Sequence, residues 1–435
     1  MQTRGYAYPG KLLAILCVGL LTVLATGSSS VAQGAVAGPQ GRALTVAYDA
    51  VAGLGAPASA SELALRLQAL LGQHSLLAAD FMRGRIRGDD DFAQAANAAL
   101  GKNTDAMGQL MGELFGADVA KKFAPLWAEH IVELFTYAGG LADQDSAERA
   151  DARKELIEYE EELAAFFVDA SHGRLTTTAA NRAMRMHVDH LLMQADAYAA
   201  KDYTTADRIY RESYQHTYDL GETVAGALLA PSQAAALQAP LWRLRSQLGK
   251  LLAEHVVLVE DVTRAAVMNA PDFSAAGQII NGNTRDLAAA MDSLFGAAAA
   301  KDFQSLWGYR VEQLVAYASA SAARDATRRE QARTNLHDFE GRLSLFLESE
   351  TGKRLGSGSL EQAFQAQDQM VLQHADAFAA KDYGKAHEIA YATYENMFDL
   401  ARQLADAIGA TVAARLPVGG AQTGYGGMAE TVERR

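Results

Sequence analysis

The chain of 435 residues has one cysteine, Cys17, and it sits inside an apolar N-terminal run. With no second thiol there is no disulfide. With none in the body of the chain there is no thiolate metal site, Fe–S cluster, thiol nucleophile or covalently attached c-type haem. Basic residues are in the minority: Lys and Arg total 39 against 52 Asp and Glu, a formal net charge of -13. Phosphate backbones require clustered cations and these are scattered, so no nucleic-acid partner is expected. Catalytic signatures are missing as well. The sequence contains no Gly-x-Ser-x-Gly elbow, no glycine-rich phosphate loop between a strand and a helix, and no His-Glu-x-x-His, which disfavours serine hydrolase, nucleotide and zincin chemistry.

Nor is there a long hydrophobic run. The most apolar stretch, Leu12 to Leu24, has about 13 residues where a membrane-spanning helix needs roughly 20. Arg4 and Lys11 precede it and Ala35-Val36-Ala37 follows, so residues 1–37 read as a secretory signal peptide. The mature protein is then expected to be secreted or associated with the cell envelope, with no transmembrane segment.

What is present is a text written twice. Ala195 to Tyr203, ADAYAAKDY, returns as ADAFAAKDY at Ala375 to Tyr383. LLGQH ending at His74 recurs as LLAEH ending at His255, and FAPLW ending at Trp127 as FQSLW ending at Trp307. The interval of about 180 residues is the size of a whole domain rather than of a solenoid repeat. Helical periodicity holds from Ser61 to about Ala414. The expected fold is therefore all-α: two tandem bundles of about six helices each, at residues 57–230 and 236–415, followed by a flexible tail at 416–435. In the first bundle the breaks predict helices near 61–87, 91–114, 118–140, 145–171, 177–200 and 204–229. Trp127, Trp307, Phe115 and Phe295 read as core. Asp202 and Tyr203, like Asp382 and Tyr383, read as the cap and packing anchor of a helical hairpin.

Five of the ten histidines fall on apolar stripes of four first-half helices: His74, His130, His187, His190 and His216. In the second half only His255 persists, matching His74. Arg310, Gln367, Met370 and Asn396 stand where the others were, so the fold does not require those imidazoles. Neutral imidazoles pointing inward from facing helices suit copper, zinc or iron, or clamp a haem axially. Glu133, three residues after His130, and Glu212, four before His216, are placed as carboxylate ligands or as partners of the rings. The ferritin-like pattern is absent, because Leu71, Trp127, His187 and Ser213 occupy the positions three before His74, His130, His190 and His216.

The phrases LLxxH (Leu70 to His74), LWxxH (Leu126 to His130) and MHxxHL (Met186 to Leu191) make the chain similar to exported bacterial proteins of tandem helical bundles whose function is unsettled. His130 and Glu133 also resemble the His-x-x-Glu part of the imelysin-type envelope proteins, a resemblance that implies duplicated helical bundles and a link to iron; Ala128 stands where their motif has glycine. The tail from Pro417 to Gly427 is similar to sorting tails of exported actinobacterial proteins, which implies wall attachment at Thr423, although only Arg434 and Arg435 follow as a basic end. Three functions remain open on these grounds. The first is a metal-binding bundle protein with its site at His74, His130, Glu133, His187, His190 and His216. The second is an interaction or structural protein with an envelope partner and no metal. The third is an enzyme dependent on haem or metal.

Overall fold

A computed structural model describes residues 58–415. Residues 1–37, expected to form a signal peptide, and the tail with Thr423 lie outside the described residues. Within them are thirteen α-helices, one short 3-10 turn and no strand, as the helical periodicity requires.

The first six helices are α1 (Ala60–Arg87), α2 (Asp90–Phe115), α3 (Ala117–Ala142), α4 (Ser146–Ala170), α5 (Thr177–Ala199) and α6 (Tyr203–Leu228). A connector, α7 (Pro231–Ala234) and the 3-10 turn Ala235–Gln238, leads to α8 (Pro240–Met268), α9 (Phe273–Phe295), α10 (Ala297–Ala322), α11 (Ala326–Glu350), α12 (Ser357–Ala379) and α13 (Tyr383–Arg415). Local chemistry sets the ends. Ser59 and Glu62 form a capping box that starts α1, and Gly88 ends it in the left-handed region at φ 69°, which glycine enters without a Cβ penalty. At the hairpin of the ADAYAAKDY phrase, Lys201 is left-handed and the Asp202 carboxylate accepts the Thr205 N–H at 3.1 Å. Lys381 and Asp382 do the same in the second half, with Lys385 N–H at 3.0 Å.

Helix α1 is buried along nearly its whole length, from Leu63 to Gly84, because α2, α3, α5 and α6 surround it. Helix α8 holds the corresponding place among α9, α10, α12 and α13. Gly221 lets α6 press on α1: a Cβ there would lie 2.6 Å from Gln68 Cα. Trp127 and Trp307 are core. Phe115 and Phe295, at the ends of α2 and α9, are only partly buried, because a helix terminus next to a glycine turn lies at the rim of the bundle.

The halves meet through reciprocal contacts. Tyr214 Oη donates to Lys250 O at 3.0 Å and Tyr394 Oη donates to Ala69 O at 2.9 Å, with the two hydroxyls 3.5 Å apart. Trp242 Nε1 donates to Ser61 O at 2.8 Å. One apolar core runs from the first half into all six long helices of the second, α8 to α13, and a second fills the rest of the second half. Where α1 and α6 face α8 lies a buried charged seam, with Arg83 2.9 Å from Asp207 and Arg264 2.7 Å from both Asp261 and Asp272.

Candidate metal centre

Three of the sequence-selected histidines converge. His74 comes from the middle of α1, His130 from α3 one turn after Trp127, and His187 from α5. All three are at most 1% exposed. His74 Nε2 and His130 Nε2 are 3.1 Å apart, and one ligand atom from each ring lies within 4.8 Å of the others. Zn–N bonds near 2.0–2.1 Å in tetrahedral geometry place imidazole nitrogens about 3.3 Å apart. One pair, joined by an N–H···N hydrogen bond, already stands near that spacing, and the third ring lies within 4.8 Å of it.

The walls are aromatic. The Trp127 indole is 4.5 Å from the His74 ring and runs parallel to His187 at 6.1 Å and 8°. Tyr159 stacks on His130 at 4.5 Å and 15°. Burial without counter-charge disfavours protonation, so burial lowers all three ring pKa values, that of His130 to about 3. The neighbouring imidazoles push His74 and His187 further in the same direction. The rings are therefore neutral at ordinary pH, the form that donates a lone pair to a metal.

The hydrogen-bonding of this knot is incomplete. His74 Nδ1, His130 Nδ1, both nitrogens of His187, Trp127 Nε1 and the Tyr159 hydroxyl are buried without a partner. The Asn103 side chain beside His74 and the Trp127 backbone beside His130 favour the protonated rings slightly, yet neither forms an aligned hydrogen bond to Nδ1. Buried polar groups normally find partners, and six such atoms are gathered here around the three rings.

The matched place in the second half is filled by a fixed cation. Arg310 stands at the His130 position and is fully buried. Its Nε donates to Asp368 Oδ1 at 2.7 Å, its Nη2 lies 2.6 Å from the same oxygen, and its Nη1 is 2.9 Å from His255 Nε2. A guanidinium only donates, so His255 Nε2 accepts, while His255 Nδ1 lies 2.9 Å from Asn283 Oδ1 and 3.0 Å from the Trp307 indole N–H. Asp368 matches Val188. The scaffold around the two places is alike: Phe303 stacks on Trp307 at 5.0 Å and 21°, as Phe123 stacks on Trp127 at 5.2 Å and 24°.

The remaining predicted ligands stand apart from the triad. His190 and His216 form a pair of their own, ring centroids 5.5 Å apart and edge to face, on the α5–α6 side. Glu133 is partly exposed, its carboxyl pKa raised by burial and by Glu155 and Glu129. Glu212 is exposed and ion-paired with Arg208 at 2.7 Å. The structure thus does not join His130 and Glu133 into a ligand pair. A haem does not fit among the three rings either, since centroids 5.2 to 5.9 Å apart leave no slot for a macrocycle. Tyr159 and the Arg310–Asp368 pair escaped notice in the sequence. Their signal was there: Tyr159 becomes Phe339 in the second half, and positions 130 and 188 acquire opposite charges together. No family model, curated protein or solved structure matches the chain.

Proposed function

We propose that the chain is a metal-binding helical-bundle protein of the cell exterior or envelope, holding one transition-metal ion in its first half through His74, His130 and His187. The second half, a duplicate of the first, acts as scaffold and partner surface. One observation carries the reading: where the second half sets a buried guanidinium, the first half gathers three neutral buried imidazoles with free nitrogen atoms. A cation is accommodated at the same place in both copies, covalently supplied in one and exchangeable in the other.

The donor set narrows the ion. Calcium and magnesium require oxygen ligands, and the non-haem iron triad requires a carboxylate beside two histidines. Three imidazoles with neither thiolate nor carboxylate suit copper or zinc. Full burial favours holding or carrying the ion over turnover, which needs a coordination position open to substrate. Placement outside the cytoplasm is supported by the apolar run Leu12 to Leu24 and its flanks, and wall attachment through Thr423 by the tail alone.

The test is elemental analysis of tagless protein loaded with zinc or copper, beside His130→Arg/Val188→Asp, which carries the second half's own pair. About one ion per chain is expected in the wild type and none in the folded variant. Absence of stoichiometric metal from the loaded wild type, or equal metal in both proteins, overturns the reading.

A further inference from the structure

The triad rings have no exposed surface to speak of, so an ion bound there must cross protein to reach it. Crossing an apolar wall bare is costly, because the ion sheds its hydration with nothing in exchange. The structure offers something in exchange beside α5 and α6. His190 on α5 and His216 on α6 are partly buried, with rings edge to face at 5.5 Å. Both lie close enough to His187 for their charge to be felt there. His190 Nδ1 is a buried nitrogen without a partner, while His216 Nε2 faces Ala183 O at 3.2 Å. Outside the pair stand Asp189 and Glu212 near His190, Asp219 near His216, and the half-exposed Met193 on the next turn of α5. These carboxylates are ion-paired with Arg153, Arg208 and Lys250, so they form a mixed rim rather than a bare acidic patch.

In the second half the matched positions are tied to one another. Gln367, at the His187 position, donates from Nε2 to Oδ1 of Asn396, at the His216 position, at 3.1 Å. Asn396 Nδ2 approaches Met370 Sδ, at the His190 position, at 4.0 Å. These three side chains therefore touch in series where no imidazole triad exists to be reached. All imidazoles of the path vanish together with the triad.

Resting on the metal-site reading above, we infer that His190 and His216 are the outer station of an imidazole path through which the ion passes between solvent and the triad. At the station, ring nitrogens replace part of the hydration shell. His187 then takes the ion inward by ligand exchange, one neutral nitrogen for another, so charge is conserved at every step and no redox partner is required.

A path residue and a ligand have different thermodynamic signatures. Zinc is the probe, loaded into the full-length metal-free protein by stopped-flow against a chromophoric chelator and withdrawn with excess chelator. The variant His190→Met/His216→Asn carries the residues that the same fold accepts in its second half, and zinc has little affinity for thioether; the single His190→Met is the milder companion. Loading and release should both slow, by about tenfold in the double variant, as for other gating steps. Stoichiometry and affinity should stay as in the wild type, because a path enters both rates equally. Unchanged rates in both variants overturn the path. Faster release with weakened affinity also overturns it, making the pair ligands instead. A wild type that takes up no zinc removes the metal site itself and the path with it.

Discussion

If the guanidinium of the second half and the ion of the first are alternatives at one place, the second half can be converted. Arg310→His, Gln367→His and Asp368→Val rebuild the triad around His255. The Arg310–Asp368 pair is closed at 2.6–2.7 Å with side chains 0% and 2% exposed. Removing Arg310 alone strands a buried carboxylate, at a cost of about 3–5 kcal/mol. Removing both charges together avoids that penalty and leaves mainly the volume lost from Arg to His, about 1–2 kcal/mol on the scale of small core cavities. Zinc at a hundred times its dissociation constant then returns about 2.7 kcal/mol. The triple variant should therefore melt somewhat below the wild type when metal-free, recover with zinc, and bind about two ions per chain in a chelator competition titration. Arg310→His alone should be strongly destabilised and gain no ion. A triple variant that keeps wild-type secondary structure yet still binds a single ion would refute the equivalence of the two places, and with it the main support for the metal reading.

Acid should weaken the metal-free protein through its buried rings. Burial holds His130 near 3 while an unfolded imidazole titrates near 6.5, so below that pH the unfolded chain binds the extra proton and stability falls as acid increases, until about pH 3. His130→Arg/Val188→Asp should accordingly lose stability less steeply, by about 1.4 kcal/mol per pH unit, in urea titrations between pH 6 and pH 4; parallel slopes would exclude a neutral buried His130. Gly221→Ala drives a Cβ to 2.6 Å from the Gln68 backbone and should cost about 2 kcal/mol through forced separation of α6 from α1, seen as a lowered denaturation midpoint. Tyr159→Phe deletes a buried hydroxyl without a hydrogen bond, so metal-free stability should hold or rise; a clear loss would mean that the hydroxyl has a partner in solution.

The fold was legible because its punctuation is local. Gly88 and Gly116 stop helices by backbone freedom and Asp202 caps one through its carboxylate, so boundaries could be read without knowing the packing. Which histidines meet was only half legible. Residues three apart on a helix differ by about 60° in direction. On α5 that angle turns His187 towards α1 and α3 and leaves His190 beside α6, and on α3 it separates Glu133 from His130. Periodicity marks a broad inward stripe, and only the rotation of each helix against its neighbours decides which member of the stripe reaches the centre. The Arg310–Asp368 pair was invisible for another reason: an arginine on an apolar stripe reads as a misplaced surface residue until its carboxylate is found on a different helix.

The crossed tyrosines at the join, each donating to the other half's central helix, have the form of an isologous contact, the kind by which identical subunits pair about a two-fold axis. Two separate copies of one bundle would meet in that way, and both would then carry the same site, since a single gene can change one only by changing both. Covalent fusion removes that constraint. On the metal-site reading, one copy would then be free to carry a fixed positive charge where the other takes an exchangeable ion, so that a single chain commits to one load.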